Sequence, residues 1–204
     1  MMKSNEVFST PFFTESECEE IVKYIDKKKN YLLDNKKQYE EIGDSSYNQS
    51  QITTSNYNNY NFFLDNPKYI DRFLKTLNSF LPELEYPIAV QSWVNVYEKG
   101  DGIGIHNHSG MNLHSFAANI FIDGPTKPGI TYIDISGSAT LENIKGEMQL
   151  FNCSLYHEVP KNISDTARYS IGITIHGHEA ITRGLLSNAS FNSNRSIIIL
   201  NQLT

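Results

Sequence analysis

Between residues 88 and 176 the chain breaks into eight short β-rich runs punctuated by glycine and proline, and two helical stretches precede them. This order predicts a mainly-β fold with flanking α: a double-stranded β-helix, or jelly-roll, with N-terminal helices packed on one sheet. Alternation gives a third observation. In 167–176, Arg168, Ser170, Gly172 and Thr174 share one face, and Tyr169, Ile171, Ile173 and Ile175 share the other. A polar face turned inward is expected where a barrel holds a polar ligand. Trp93, Asn95 and Tyr97 divide from Val94 and Val96 in the same way.

The elements follow in chain order. Thr14 and Glu17 fit a capping box, and Cys18, Ile21, Val22 and Ile25 form an apolar stripe at helical spacing, so a first helix starts there. Residues 34–61 are polar and rich in Asn and Tyr, which predicts irregular structure holding short strands such as 51–55. Asn66-Pro67 is a helix-start signal, and Tyr69, Ile70, Phe73, Leu74, Leu77 and Phe80 recur at helical intervals before Pro82 ends the segment. The predicted strands are 88–98, 103–108, 115–122, 129–135, 138–142, 147–152, 155–159 and 167–176. The apolar tail at 196–200 reads as one more strand, at a sheet edge or across the interface of a homodimer. The expected organisation is a single domain over 1–204: support in 1–87, the β-helix in 88–178, and an extension in 179–204.

Composition narrows the function classes. A length of 204 residues with 39% hydrophobic and 20% charged residues describes an ordinary globule able to bury a core. A net charge of −6 argues against nucleic-acid binding, which needs a basic face. It leaves room for a small anion, which one buried Arg can bind locally. Two cysteines, Cys18 and Cys153, make no disulfide framework and point to a reducing cytoplasm. The first residues lack the apolar stretch of a signal peptide, and no run approaches the roughly 20 apolar residues of a membrane span.

All six histidines lie between 106 and 178. His106-Asn107-His108 on a strand sends both rings to one side, close enough to chelate one ion, with Gly100, Gly102, Gly104 and Gly110 allowing tight turns around it. A jelly-roll sets its second and seventh strands side by side, so His157, on the later strand, can join the pair. Eleven residues after His157 come Arg168 and then Ser170 on one face. The competing reading makes His106 and His108 surface residues of a Gly-rich loop, His157 a structural histidine and Arg168 an edge-strand residue. A carboxylate from Asp101, Asp123 or Glu158 is a further candidate ligand. His176-Gly177-His178 reads as an exposed loop, His114 as lining the mouth or having no role, Trp93 as packing, and Cys153 as a small buried filler.

The stretch 92–175 resembles the 2-oxoglutarate/Fe(II)-dependent oxygenases, in particular a branch common in phages and marine bacteria. The resemblance rests on Ser92-Trp93-Val94-Asn95-Val96-Tyr97, on His106-x-His108, on Leu150-Phe151 through His157-Glu158-Val159-Pro160, and on Ala167-Arg168-Tyr169-Ser170-Ile171. Phe13 to Cys18 also resembles the first helix of prolyl-hydroxylase-like members. The resemblance implies Fe(II) held by His106, His108 and His157, with 2-oxoglutarate as cosubstrate and dioxygen as co-reactant. Arg168 would hold the distal carboxylate, aided by Ser170 and Tyr97, with Asn95 or Asn119 at the C1 end. It also implies an organic substrate, which the prolyl-hydroxylase likeness tilts toward a peptidyl or amino-acid one. One departure stands out: most of the superfamily reads H-x-D/E, and here His108 takes the carboxylate position. Two alternatives follow, a cupin-type metal protein and a jelly-roll binding module that has lost catalysis. A cupin has no need of Arg168 and Ser170, and the Glu it expects after His108 is missing.

Overall fold

The computed structural model describes residues 5–37, 52–54, 60–108, 115–184, 186 and 197–202. In chain order the first elements are β1 (Val7–Pro11), α1 (Glu15–Lys37), β2 (Ile52–Thr53), α2 (Phe62–Asp65), α3 (Ile70–Phe80), β3 (Ile88–Tyr97), β4 (Ile103–His106) and β5 (Phe116–Asp123). There follow β6 (Ile130–Asp134), β7 (Gly137–Leu141), β8 (Glu147–Asn152), β9 (Tyr156–Val159), β10 (Arg168–His176), α4 (His178–Thr182) and β11 (Ile198–Leu200). A single 3₁₀ turn, Pro67–Tyr69, leads into α3. The larger sheet runs β1-β8-β5-β10-β3-β11, with β2 also paired to β3, and the smaller runs β4-β9-β6-β7. Every strand pairing among the described residues is antiparallel, as the double-stranded β-helix predicted from the sequence requires.

The large sheet faces two environments. Val90, Val94 and Val96 of β3, Ile120 and Ile122 of β5, Met148 and Leu150 of β8, and Ile171, Ile173 and Ile175 of β10 are all buried in one apolar cluster. Cys18, Ile21, Ile25 and Leu32 of α1 join that cluster, as do Phe73, Leu74 and Leu77 of α3. The apolar stripes read from the sequence are therefore the helix faces laid on the sheet. Aromatic rings fill the gap between helices and strands: Phe13 meets Tyr69 at 4.8 Å and Phe63 meets Phe73 at 4.7 Å. Each such fully buried ring contributes about 1.5–3 kcal/mol by leaving water.

Three elements differ from the sequence reading. β1 pairs with β8 as an edge strand, although five residues ending in Pro11 carry little strand signal. Phe62–Asp65 forms a short helix capped by the Asn61 side chain, between the stretch read as irregular and the predicted second helix, where no element was expected. The expected exposed loop at His176-Gly177-His178 is the third difference. His176 closes β10 at 1% exposure and His178 opens α4, because the same parity that turns Arg168 inward also turns His176 inward. The tail strand β11 pairs with β3 at the sheet edge.

The capping box at α1 extends into a tertiary clamp. The Thr14 N–H and hydroxyl both donate to Glu17 Oε2, and Arg72 of α3 forks onto the Glu17 carboxylate at 2.7 and 2.8 Å. Arg72 Nη1 also donates to the Phe12 carbonyl. The Arg72 hydrogen bonds hold Glu17 at about 2, below its ordinary 4.5, with the Thr14 donors helping and burial opposing. A depressed carboxyl stabilises the fold above its unfolded pKa and loses that contribution as pH falls toward its folded one. Stability should therefore drop as pH falls from 4.5 toward 2. Urea unfolding of wild type and Glu17→Gln at near-neutral and acid pH checks this: the two should differ most near neutrality and converge in acid.

Candidate metal centre

The pairing of β4 with β9 sets His106 directly opposite His157, so both rings emerge on one face. Their centroids lie 4.1 Å apart. His108 sits just past the end of β4, and its N–H leaves the ladder to donate to the Cys153 carbonyl at 2.8 Å. That bond swings the third ring over the pair, 5.2 Å from His106 and 5.1 Å from His157. One nitrogen from each of the three comes within 4.8 Å of the others. Among the described residues no carboxylate joins this group. Asp123 pairs with Lys145, and Asp101 accepts the Glu98 N–H. Glu158 follows His157 on the strand and has the opposite parity.

Burial favours the neutral form of His106 and His157. Burial pushes His157 down to about 3, the neighbouring His106 adds to the effect, and the Leu155 carbonyl opposes it. That carbonyl can only accept, so Nδ1 carries the proton at 3.1 Å and Nε2 presents its lone pair to the triad. Burial also lowers His106, against the pull of the Gly104 and His157 carbonyls. A neutral imidazole with Nδ1 anchored to a backbone carbonyl is the form a divalent metal takes as ligand. Phe151 lies 4.7 Å from His157 and Tyr132 6.0 Å from it, which keeps that side of the triad dry.

The opposite wall is the inner face of β3, β10 and β5. Register places Arg168 beside Tyr97, Ser170 beside Asn95, Gly172 beside Trp93 and Thr174 beside Gln91. Asn119 stands across from Gly172 on β5. Arg168 is 2% exposed, with its guanidinium carbon 4.8 Å from the Tyr97 ring centroid. Its terminal nitrogens donate to the Pro128 and Pro160 carbonyls, and Nε is buried with no partner. Burial lowers its pKa and Tyr97 opposes the shift. Among the described residues no carboxylate pairs with this cation, and a buried charge of that kind costs several kcal/mol unless an anion completes it. Asn95 Oδ1 is likewise buried and unpartnered, while Asn119 is half-buried.

The structure thus gathers His106, His108 and His157 at one point, and Arg168, Ser170, Tyr97, Asn95 and Asn119 on one inner wall. His114 and Gly110 lie outside the described residues. Two residues escaped sequence reasoning. Tyr132 donates to Gln149 Oε1 at 2.8 Å, tying the two sheets across the interior. Gly172 is the other: a Cβ there would drive into the Trp93 indole, so the glycine seats that ring against β10, with the indole 6.1 Å from His108. Neither carries a motif, and only the strand register exposes them.

The same fold is found in solved structures of prolyl hydroxylases and of an enzyme with 2-oxoglutarate bound. No family model and no curated protein matches the chain by sequence. Solved structures do match. A prolyl-4-hydroxylase from Pseudomonas putida superposes with a TM-score of 0.62 at 12% identity, over 85% of this chain and 93% of that one. HygX from Streptomyces hygroscopicus, with nickel, 2-oxoglutarate and hygromycin B bound, gives 0.61 at 10% identity, over 86% and 84%. The viral collagen prolyl hydroxylase of Paramecium Bursaria Chlorella virus-1 gives 0.54 at 13% identity, over 83% and 94%. No helix among the described residues is long and apolar enough to cross a membrane.

Gly172→Ala should displace Trp93 from its seat. The expected result is a loss of about 1–3 kcal/mol in stability, the usual cost of overpacking. Trp93 is the single tryptophan, so its emission should shift as well. Wild-type stability and emission in this variant would refute the seating.

Proposed function

We propose that the chain is a non-haem Fe(II)- and 2-oxoglutarate-dependent oxygenase that hydroxylates an organic substrate. One observation carries the reading: the histidine triad and the buried Arg168, with no carboxylate partner among the described residues, share one barrel interior. His106, His108 and His157 would hold the metal, and the Arg168 guanidinium, with its unpartnered Nε–H, fits one carboxylate of 2-oxoglutarate. Bound there, iron with 2-oxoglutarate and dioxygen supplies the oxidising power for C–H hydroxylation. Substrate R–H, dioxygen and 2-oxoglutarate give R–OH, succinate and carbon dioxide.

The chain's own residues orient and shield. Arg168 holds the distal carboxylate by charge-assisted bonds, with Tyr97 stacked beneath it and Ser170 adjacent. Asn95 and Asn119 serve the C1 end. Phe151 and Tyr132 exclude water on the His157 side. The names of two fold neighbours favour a peptidyl substrate. Two unpaired, buried cysteines suit a reducing cytoplasm. The chain acts as one domain, with its helices as scaffold for the large sheet.

Anaerobic titration with Fe(II) and 2-oxoglutarate should produce a metal-to-ligand charge-transfer band. Arg168→Ala should weaken 2-oxoglutarate about 10- to 100-fold, the value of a charged hydrogen bond, and leave metal affinity nearly intact. Unchanged 2-oxoglutarate affinity would favour a cupin-type metal protein instead.

The neutral third ligand gives a second test. His108→Ala should lower Fe(II) affinity because it removes one of three protein donors. His108→Asp should keep the metal and make succinate without added substrate, since it installs the usual carboxylate. Succinate from His108→Asp but none from wild type would identify a barrel retired from catalysis.

A further inference from the structure

One buried group in the barrel has no use in this mechanism. Gln91 is 2% exposed, and both its carboxamide nitrogen and its oxygen are buried without a hydrogen-bond partner. Its parity with Trp93, Asn95 and Tyr97 puts it on the inner face of β3, opposite Thr174. Thr174 in turn pairs with Ala117, and Ala117 with Phe151, the ring that packs on His157. Gln91 therefore stands in the row of the barrel wall that adjoins the triad.

The position along β3 separates two subsites. Tyr97 stacks on Arg168, and Trp93, four residues earlier, neighbours His108. Gln91 lies two residues further from Arg168, about 7 Å along the strand. A cosubstrate reaching from Arg168 to the triad would leave Gln91 on the far side of the triad, free for a substrate. This step rests on the oxygenase reading.

Burying an amide with neither half satisfied destabilises the fold, and a chain folding only for stability would place Leu or Val there. A carboxamide offers one donor edge and one acceptor edge side by side. In an extended peptide the N–H and C=O of a single residue point to the same side, as the paired bonds of an antiparallel ladder require. Those two groups complement a carboxamide. Trp93, held flat by Gly172, lies next along the wall and offers a ring face to the neighbouring side chain. We propose that Gln91 and Trp93 form a substrate-reading subsite on β3, in which Gln91 takes both backbone groups of one non-proline residue of an extended peptide substrate.

The test uses the full chain loaded anaerobically with Fe(II) and 2-oxoglutarate, and a library of N-acetylated, C-amidated pentapeptides as probes. Trp93 emission reports binding directly, because the protein has no other tryptophan. Peptides that shift this emission should bind on the order of tenfold or more weakly to Gln91→Leu, the loss expected for two hydrogen bonds. N-methylation at the residue read by Gln91 should produce the same loss in wild type and none in the variant. Gln91→Leu should also melt about 2–4 °C higher, since it removes buried unsatisfied atoms. A purely structural glutamine would instead lower the melting temperature when replaced. No emission shift from any peptide, or equal affinity for wild type and Gln91→Leu, overturns the subsite. Absence of the charge-transfer band overturns the oxygenase reading itself, so the two failures are told apart.

Discussion

The architecture depends on the two-residue pleat of β3, β5, β8 and β10. Successive side chains must point to opposite faces, so one sheet presents a mainly apolar surface outward and a more polar one inward. The outer face cannot stay in water, and α1 and α3 cover it. The inner face cannot be sealed as a dry core, because Gln91, Asn95, Ser170 and Arg168 are on it. The small sheet closes over that face instead and brings the histidines. Scaffold and site are thus two sides of one set of strands.

The interior is poorly satisfied for a folded protein. Most buried polar atoms in native structures have partners, yet Gln91, Asn95 Oδ1 and Arg168 Nε have none. Gln91, Asn95 Oδ1 and Arg168 Nε fall together on one inner wall, while Asn143 Nδ2 and His178 Nδ1 lie apart from it. That distribution fits a site held in readiness for a polar ligand at a cost in stability, offset by the aromatic and aliphatic packing outside the sheet.

The triad itself is electrically unusual for the fold. If His106, His108 and His157 hold a divalent metal as proposed, three imidazoles would leave its charge uncompensated, where two histidines and one carboxylate would remove one unit. Arg168 adds another positive charge to the same interior. A dianionic cosubstrate, as proposed, would relieve both at once. It would then carry a larger part of the site's electrostatics than where a carboxylate ligates the metal.

Much of the fold was legible in the sequence because alternation and helical spacing are local. The stripe at Cys18, Ile21 and Ile25, the strand boundaries from 88 to 176, and the inward parity of Arg168 and Ser170 all follow from neighbours within a few residues. The H-x-H and the later His157 could likewise be singled out, because clustering of histidines is visible in one dimension. Register was not legible. Only the tertiary structure set His106 opposite His157, turned His108 in through the Cys153 carbonyl, seated Trp93 on Gly172, and put Gln91 in the row of Phe151. The short elements β1 and α2 were also decided by partners far along the chain, β8 in one case and Ser92 on β3 in the other. Periodicity says which face a residue takes; pairing between distant strands says what it meets there, and that depends on the packing of the whole barrel.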